Sequence, residues 1–552
     1  MNVDLDRYNS RRSNVCANQG MVATSQPLAA QAGLSILQDG GNAFDAAVAT
    51  AAALNVVEPT STGLGGDVFA LYRRANGEVG ALQACGPAPE RATVDAVRDA
   101  IDADPRRDWY YPNSLFDVDE NTPRDALPMP RLGPHAVTVP GTARGWEATI
   151  DNLGSMSLAS VLEPAIQYAM DGYPVSETIA NAWQGAASLF RDPYAQSAYL
   201  FDGKGPRPAQ TVTLPDLGES LRKIGKEGAD VVYEGAIAEA IVETVQSHGG
   251  LLERSDLASF EPTFVEPISS TYHGAEIFEL PPNNQGMIAL EALNIAEELD
   301  LGELDATDPA RHHGLIEATK LAFVDGHHYI TDPDFEPIPP LHEKAYARDR
   351  VTDVTDRAQS APTIGAPFEH GEDADTVLLT VGDAEGNLVS YINSRFAGFG
   401  SGLVAEGTGI ALQNRGSSFS LDADHPNRLE PGKRPFHTLV PAIAQFDEED
   451  WAAFGVMGGF MQPQGHVQVI SNIVDCGMDP QAALDAPRWR YRADGTLAVE
   501  DRFPNAVKLA RQGHDVRVMP PSQFGGAQFL QQVGETYIGA TEPRKDGCAA
   551  GF

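Results

Sequence analysis

One stretch of the sequence, residues 373–381, can present a nucleophile. An acidic, turn-forming segment ends at Thr376, and the apolar residues after it predict a strand. A turn over residues 382–387 leads to a second predicted strand, residues 388–392. A threonine hydroxyl is a weak nucleophile that needs a nearby base, whereas β-branched residues are ordinary in strands. Taken alone, Thr376 is therefore a structural threonine, and only its surroundings can give it another role.

The histidine and cysteine side chains do not favour a metal site. The pairs His312-His313 and His327-His328 flank a predicted amphipathic helix, residues 315–324, and no carboxylate stands at a zincin-type spacing from them. The 4 cysteines lie far apart and form no CxxC pair. We therefore predict structural histidines, no disulfide framework, no metal and no cofactor.

A glycine-rich loop, residues 58–67, precedes a predicted strand over residues 68–72. Its sequence, EPTSTGLGGD, resembles loops that cradle anions. A dinucleotide fingerprint needs a strand before the loop and a helix after it, and a phosphate loop needs a Lys-Ser/Thr pair. Neither condition is met here. We predict a tight, closely packed loop rather than a nucleotide site.

Two helices are predicted before this loop, and their ends are marked by local signals. Ser25 is a candidate N-cap for the first helix, with Pro27 in its first turn and a double glycine at its end. Asn42 and Asp45 form a capping-box pattern for the second helix, which continues over residues 46–54. Because alanine and other small apolar residues fill the second helix, we expect it to pack closely against another layer.

The charge of the chain excludes some classes of partner. The 552 residues include 77 acidic and 39 basic side chains, a formal net charge of −38 at pH 7 that is spread along the chain. Such a surface repels nucleic-acid phosphates and anionic membranes, so we predict neither as a partner. Lysine is scarce, with 8 residues against 31 arginines. Repulsion between so many acidic side chains is tolerated best in concentrated salt, which screens it within about 3 Å at 1 M. We therefore predict a halophilic protein.

Segments that direct a protein to a membrane are not evident in the sequence. No apolar run reaches the length of about 18 residues that a transmembrane helix needs. The N-terminal segment, MNVDLDRYNSRRSNVCANQG, is polar and lacks the apolar core of a signal peptide. Its double arginine is followed by residues too polar for a twin-arginine export signal. We therefore expect a cytoplasmic protein.

A series of short motifs follows in a fixed order along the chain. They are GMVATS at residues 20–25, GGNAFDAA at 40–47, GLGG at 63–66, VPGT at 139–142, EPA at 163–165, YEG at 233–235, GGL at 249–251, LPP at 280–282 and DPDF at 332–335. In this order the motifs resemble those of the γ-glutamyltransferases, over nearly the whole chain. The resemblance implies the α+β fold of N-terminal-nucleophile hydrolases, a four-layer αββα sandwich with two antiparallel sheets between two helical layers.

The resemblance gives Thr376 a role. Members of that family cut their own precursor immediately before a threonine, which becomes the nucleophile at a new N-terminus; the matching bond here joins Asp375 to Thr376. Cleavage would produce a large subunit, residues 1–375, and a small catalytic subunit, residues 376–552, interlocked in one structural unit. A free α-amino group has a pKa of about 7.7–8.0, so it can supply the base that the hydroxyl needs.

The resemblance also assigns three supporting residues. Ser394, on the second strand of the hairpin, matches the family position whose hydroxyl supports the catalytic threonine. Gly458 and Gly459 follow a predicted strand, residues 451–456, and match the oxyanion glycines of the family. Paired glycines let backbone N–H groups approach a substrate without a Cβ in the way, and such donors stabilise the charge of a tetrahedral intermediate.

The substrate positions depart from the family pattern. The arginine that holds the α-carboxylate of glutamate is missing from the matching region, QACGPAP at residues 83–89, and the serine pair of the family is His437-Thr438 here. In the family, a glutamine or glutamate and an aspartate bind the α-amino group of the substrate. The matching positions in this chain are Arg415 and Ser418.

A further departure is Phe396, which replaces a frequent asparagine, and the link between residues 419 and 433 is short. A guanidinium group such as that of Arg415 favours carboxylates and repels an ammonium group. These features resemble the branch of the family nearer to cephalosporin and glutaryl acylases. The alternative for Arg415 is a structural ion pair with an acidic neighbour.

The sequence therefore predicts an autoprocessing amidohydrolase that cleaves γ-glutamyl amides such as glutathione through a threonyl acyl-enzyme, with transfer of the acyl group to amines as a second outcome. An alternative is an acylase for the amides of dicarboxylic acids. A second alternative is an unprocessed, non-catalytic scaffold that has kept the fold. The predicted partner is a small-molecule amide, and the oligomeric state is left open.

Overall fold

The structure is a computed structural model that describes residues 12–104, 107–111, 118, 122–359 and 376–552. Asp375, on one side of the predicted cleavage site, lies outside these ranges. Among the described helices, none combines the length and apolar character that a bilayer crossing requires. The α-helices span Pro27–Gln38, Ala43–Val57, Val94–Ala103, Arg107–Tyr110, Thr142–Leu153, Leu158–Asp171, Glu177–Ala186, Pro193–Tyr199, Pro215–Glu227, Asp230–Tyr233, Ala236–Ser247, Arg254–Ala258, Gly286–Glu298, Pro309–Tyr329, Lys344–Arg350, Met461–Val474, Pro480–Asp485 and Ala506–Gln512.

The strands are numbered along the chain. They are β1 (Val15–Ala17), β2 (Gly20–Thr24), β3 (Asp67–Arg73), β4 (Val79–Ala84), β5 (Tyr173–Pro174), β6 (Thr211–Val212), β7 (Thr263–Val265), β8 (Ile268–Tyr272), β9 (Ala275–Glu279), β10 (Val377–Asp383), β11 (Leu388–Ser394), β12 (Val404–Ala405), β13 (Ile410–Ala411), β14 (Pro441–Asp447), β15 (Asp450–Met457), β16 (Trp489–Tyr491), β17 (Leu497–Val499), β18 (Val516–Val518), β19 (Gly526–Val533), β20 (Thr536–Thr541) and β21 (Cys548–Gly551).

Two seven-stranded antiparallel sheets form the centre of the molecule. The first has the order β21-β2-β10-β11-β3-β4-β7, and the second has the order β1-β20-β19-β15-β14-β9-β8. Each sheet combines strands that precede Thr376 with strands that follow it. The two parts of the chain therefore share both sheets instead of forming separate domains. Cleavage into the two subunits at this point stays a prediction.

Alternation along the central strands produces the four layers. On β10, Val377 and Leu379 face a helical layer that includes Ala43–Val57, whereas Leu378 faces the second sheet. On the outer side of the second sheet, the helix Met461–Val474 packs on β15, and the helix Gly286–Glu298 packs on β8 and β9. This arrangement confirms the predicted α+β fold, a four-layer αββα sandwich.

The alanine-rich helix Ala43–Val57 is buried over its whole length, as its composition predicts. Its capping box is present: Asn42 Oδ1 accepts from the N–H groups of Phe44 and Asp45 at 2.9 and 3.1 Å. Asp45 Oδ2 in turn accepts from the Asn42 N–H at 2.9 Å. Because its side chains are small, the helix lies close to β10 and β11 and fixes the position of that hairpin.

The predicted cap of the preceding helix is wrong. Gln26, not Ser25, caps the helix Pro27–Gln38, and its Oε1 accepts from the Leu28 N–H at 2.9 Å. Ser25 Oγ instead donates to Glu58 Oε2 at 2.6 Å. An N-cap hydroxyl accepts from the helix N–H groups, whereas the Ser25 hydroxyl is turned towards the Glu58 carboxylate, a strong acceptor. The tertiary fold decides that Glu58 lies beside Ser25.

The histidine-containing helix is longer than predicted. It spans Pro309–Tyr329, so all four histidines lie within it and do not flank it. Asp308 caps the helix and Pro309 occupies its first turn. Most of its residues are buried, so the helix has no solvent-facing side. The spacing of apolar residues therefore does not show where the helix begins and ends.

Candidate active site

Thr376 and Ser394 lie side by side at one end of the first sheet. β10 begins directly after Thr376, β11 ends at Ser394, and the pairing of Val377 with Asn393 brings the two ends together. Thr376 Oγ1 lies 3.2 Å from Ser394 Oγ, and the residues are 2% and 0% exposed. The hairpin thus places two buried hydroxyl groups within hydrogen-bond distance of each other.

A backbone hydrogen bond orients the Ser394 hydroxyl. The Phe396 N–H donates to Ser394 Oγ at 2.9 Å, and Phe396 has a φ of 81°, a left-handed conformation that is uncommon for a residue with a side chain. Strained backbone of this kind persists where the surrounding structure imposes it, often at functional sites. Ser394 Oγ thus accepts one hydrogen bond from the backbone, and either hydroxyl of the Thr376–Ser394 pair can be the donor to the other.

The glycine-rich loop closes against the strand end that carries Ser394. A Cβ on Gly66 would lie 2.2 Å from the Ser394 carbonyl oxygen, and a Cβ on Gly65 would lie 2.3 Å from the Ala411 carbonyl oxygen. Gly65 also forms an isolated parallel bridge with Leu412. A side chain at either position would displace backbone. The loop is therefore tight and closely packed, as predicted, and it supports the serine from behind.

Gly458 and Gly459 form the turn between β15 and the helix Met461–Val474, with φ values of 122° and 59°. Both values lie in the region that favours glycine. The Gly459 carbonyl accepts from Gln285 Nε2 at 3.0 Å. A Cβ on Gly455 would lie 2.9 Å from a Leu378 methyl group, so the end of β15 lies across from the start of β10. The turn is therefore placed near Thr376 by the packing of the two sheets.

Arg415 is completely buried and has no acidic partner within ion-pair distance in the described ranges. Its Nη1 donates to Thr438 Oγ1 at 2.8 Å, and its guanidinium carbon lies 4.3 Å from the centre of the Phe396 ring. Burial lowers the pKa of Arg415 to about 10, so the group is charged at neutral pH.

Two nitrogen atoms of Arg415, Nε and Nη2, are buried and donate to no acceptor in the described part of the chain. A buried donor without a hydrogen-bond partner lowers the stability of the fold, so most buried donors in proteins are paired. No acidic side chain of the described ranges lies within ion-pair distance of Arg415, although the charge of Asp67 acts on its pKa from farther away. A bound carboxylate would satisfy both donors in the two-pronged geometry that guanidinium groups favour.

His437 forms a buried pair with Asp67, and its predicted contact with the substrate stays a prediction. His437 Nε2 lies 3.1 Å from Asp67 Oδ2, and both side chains are 0% exposed. His437 Nδ1 accepts from the Leu439 N–H at 3.3 Å, so Nε2 carries the proton and donates to the carboxylate. Asp67 Oδ1 also accepts from Gln413 Nε2 at 3.0 Å.

Thr438 and Ser418 occupy different positions relative to Arg415. Thr438 is its hydrogen-bond partner, and the Thr438 carbonyl accepts from Gln285 Nε2 at 2.8 Å. Because Gln285 also donates to the Gly459 carbonyl, it connects the surroundings of Arg415 to the Gly458-Gly459 turn. Ser418 lies at the end of the short 3-10 turn Arg415–Ser418, and its buried hydroxyl has no partner among the described residues.

Three polar residues of this site were missed by the sequence reasoning: Asp67, Gln285 and Gln413. Asp67 closes the glycine-rich loop and Gln413 stands two residues before Arg415, so a polar residue adjoining each motif was the available signal. The pairing of Asp67 with His437 spans 370 positions. Local spacing contains no information about a contact across that distance.

One cluster in the described ranges has the composition of a metal site. Ligand atoms of His313, Glu317 and His514 lie within 4.8 Å of one another. However, Lys320 Nζ lies 2.7 Å from Glu317 Oε1 and 3.3 Å from His514 Nδ1. His514 Nε2 lies 2.8 Å from His313 Nδ1. The ammonium group neutralises the carboxylate and repels a cation, so these residues form a hydrogen-bonded core network that does not fit a metal ion.

Comparisons with known proteins agree with this geometry over the length of the chain. A family model for gamma-glutamyltranspeptidase matches residues 29–552. The chain is 36% identical to a glutathione hydrolase-like YwrD proenzyme of Bacillus subtilis (strain 168), over 98% of this chain and 99% of that protein. It is 33% identical to an oxamate amidohydrolase proenzyme of Klebsiella pneumoniae, with coverage of 98% and 99%.

Among solved structures, a cephalosporin acylase from Bacillus halodurans is similar to this fold with a TM-score of 0.87. The two sequences are 40% identical, and the match covers 98% of this chain and 97% of that one. The family model and both relatives extend across Thr376, Arg415 and the Gly458-Gly459 turn. The chain belongs to the gamma-glutamyltranspeptidase family, whose members are N-terminal-nucleophile hydrolases.

Proposed function

We propose that the protein is an autoprocessed N-terminal threonine amidohydrolase that removes a carboxylate-bearing acyl group from an amide. The observation that carries the proposal is the 3.2 Å approach of Thr376 Oγ1 to Ser394 Oγ at the buried end of the β10–β11 hairpin. Two relatives that are named proenzymes and one structural neighbour that is named an acylase support it. A scaffold would need neither the paired hydroxyls nor the glycine turn.

Maturation begins with the hydroxyl of Thr376. Its Oγ1 attacks the Asp375 carbonyl carbon, the peptide C–N bond breaks, and an ester replaces the amide. Water then hydrolyses the ester, which leaves a carboxylate on Asp375 and a free α-amino group on Thr376. The products are a large subunit, residues 1–375, and a small subunit, residues 376–552. Their strands lie side by side in both sheets, so the subunits stay together after cleavage.

Turnover uses the same hydroxyl with a new base. The Thr376 α-amino group takes the hydroxyl proton while Oγ1 attacks the substrate carbonyl. Gly458 and Gly459 N–H groups stabilise the oxyanion, and a donor of this kind contributes typically about 2.7–4 kcal/mol to lowering the barrier. The amine leaves with the proton, and water, activated by the α-amino group, hydrolyses the resulting ester. Ser394 stabilises the developing charge on Thr376 Oγ1 by donating a hydrogen bond to it.

Arg415 selects the acyl group in this proposal. Its unpaired Nε and Nη2 atoms suit the distal carboxylate of a dicarboxylic monoamide, such as a glutaryl amide. A γ-glutamyl group carries an additional ammonium ion, which the buried guanidinium repels. The charge of Asp67 affects the pKa of Arg415. The Asp67 oxygens, however, already accept hydrogen bonds from Gly141, Gln413 and His437.

The second candidate is hydrolysis of γ-glutamyl amides such as glutathione. It is supported by the 36% identity to a relative named glutathione hydrolase-like. The two candidates differ in whether the pocket accepts an ammonium group. Turnover of glutaryl 4-nitroanilide and γ-glutamyl 4-nitroanilide by the matured enzyme therefore separates them. We expect a higher kcat/KM for the glutaryl compound; equal or faster turnover of the γ-glutamyl compound would favour the second candidate.

A variant at Arg415 tests the assignment of the pocket. Arg415→Gln removes the charge, and loss of a hydrogen bond to a charged group costs about 1.5–3 kcal/mol. We expect kcat/KM for glutaryl 4-nitroanilide to fall about 10- to 150-fold. The value for valeryl 4-nitroanilide, which has a methyl group in place of the carboxylate, should change little. An equal loss on both substrates would show that Arg415 is structural.

A further inference from the structure

Asp67 is a buried carboxylate for which the proposed reaction has no direct use. It is the first residue of β3, and it pairs in register with Ser394 on β11. Its oxygens accept from the Gly141 N–H at 3.1 Å and from Gln413 Nε2 at 3.0 Å, and the third partner is His437 Nε2 at 3.1 Å. The carboxylate is therefore held rigidly beside the acyl pocket.

Among the groups around Asp67, Arg415 is the cation with the largest effect on its pKa. The pKa of His437 is lowered by burial and by the charge of Arg415, so this imidazole is neutral. Burial raises the pKa of Cys85 to about 12 and raises that of Tyr233, so both groups are also neutral. Arg415 keeps its charge, because its pKa is about 10.

Burial raises the pKa of Asp67 to about 7, against the opposing effects of Arg415, Gln413, Gly141 and Gly86. Near neutral pH the pocket therefore exists in two charge states. With Asp67 ionised, the two buried charges cancel. With Asp67 protonated, the pocket has a net charge of one positive unit, from Arg415.

We propose that Asp67 is a specificity-determining residue, which must hold a proton when Arg415 binds the carboxylate of the acyl group. This inference rests on the proposed function of Arg415. A carboxylate that enters the ionised pocket adds a second buried negative charge against one positive charge, which is unfavourable in a medium of low polarity. A carboxylate that enters the protonated pocket cancels the charge of Arg415.

The sign of the pH effect follows from linkage. The incoming carboxylate disfavours the ionised form of Asp67, so binding raises the pKa of Asp67 and takes up as much as one proton. Recognition of the carboxylate is then complete below pH 7 and weakens above it. A neutral acyl group adds no charge and should show no such dependence.

The test is the ratio of kcat/KM for glutaryl 4-nitroanilide to that for valeryl 4-nitroanilide, measured with the matured enzyme from pH 5.5 to pH 9. Titration of the Thr376 α-amino group affects both substrates and cancels in the ratio. We expect a constant ratio at low pH and a decrease of up to about tenfold per pH unit above 7. A ratio that stays constant with pH in the wild-type enzyme overturns the inference without the use of any variant.

Two variants sharpen the assignment to Asp67. Asp67→Asn cannot ionise, so its ratio should not change with pH; a decrease like that of the wild type would refute the role of Asp67. Gln413→Met removes a donor that stabilises the ionised carboxylate, so the midpoint of the decrease should move to higher pH. If instead it stays in place or moves to lower pH, the titrating group is not Asp67.

The variant Arg415→Gln separates the role of Arg415 in binding the carboxylate from the role of Asp67 in its pH dependence. If it lowers the ratio at every pH, Arg415 binds the carboxylate, and the pH profile then tests Asp67 alone. If it leaves the ratio high, the proposed function of Arg415 fails, whatever the profile of the Asp67 variant shows.

Discussion

Replacing Ser394 by alanine tests directly whether Thr376 and Ser394 act as a catalytic pair. The distance of 3.2 Å between Ser394 Oγ and Thr376 Oγ1 is longer than the 2.7–2.8 Å typical of hydroxyl pairs, so the bond is weak while both groups are neutral. It strengthens as negative charge develops on Thr376 Oγ1. A hydrogen bond to a charged group contributes about 1.5–3 kcal/mol, so we expect Ser394→Ala to lower kcat/KM about 10- to 150-fold.

The same substitution has a structural cost that needs a matched control. It leaves the buried Phe396 N–H without its acceptor, at about 1–3 kcal/mol of stability. Ser390→Ala is such a control, because Ser390 lies on the same strand, is equally buried and accepts from the Ala442 N–H at 3.3 Å. Its hydroxyl donates to the Phe454 carbonyl at 2.8 Å. Ser390→Ala should therefore lose stability but retain its activity per folded molecule.

The assay has two stages. Intact mass first gives the fraction of each variant that has been cut before Thr376, and 4-nitroaniline release then gives kcat/KM per matured molecule. Failure of Ser394→Ala to mature, when Ser390→Ala matures, also supports the pair, because self-cleavage uses the same hydroxyl. A matured Ser394→Ala enzyme with more than a third of the wild-type kcat/KM would refute the reasoning, as would equal losses in both variants.

Three further outcomes are expected. Thermal unfolding of the enzyme should move to higher temperature, and activity should rise, as KCl increases from 0.1 to 3 M, because the net charge of −38 is then screened; no change with salt would remove the halophilic prediction. Asn42→Ala should cost about 1 kcal/mol of stability, seen as a lower melting temperature, because it removes the acceptor for the Phe44 and Asp45 N–H groups; Asn76→Ala, at an exposed loop, is the control. Prolonged treatment with EDTA should leave activity unchanged, since Lys320 occupies the His313–Glu317–His514 cluster; a loss restored by one metal would contradict this.

Much of the fold could be predicted because its signals are local. The capping box at Asn42 and the hairpin around residues 382–387 depend on neighbouring residues only, and both are present. The errors share a cause. Ser25 was predicted as a cap, but its hydroxyl donates to Glu58, 33 positions away, instead of accepting from the helix N–H groups. The helix Pro309–Tyr329 was predicted too short because burial on most sides removes the periodicity that marks helix ends.

The candidate site divides in the same way. Thr376, Ser394 and the two glycines lie in short motifs with a fixed order, so the sequence located them, and the fold brings the two hydroxyls within 3.2 Å. Their catalytic roles stay predictions, as do a cytoplasmic location and adaptation to salt. Arg415 was also located, but its meaning depended on whether an acidic side chain pairs with it.

Ordered motifs and strand patterns are properties of the chain, so the sequence alone was enough to identify the family and the four-layer fold and to point to Thr376 as the predicted nucleophile. The surroundings of Arg415 became visible only in the folded molecule. The fold placed Asp67 beside His437 and left two nitrogen atoms of Arg415 buried without a partner in the described ranges. The physical reason is that the energy of a buried charge depends on groups within a few ångströms, and the fold brings these together from positions hundreds of residues apart.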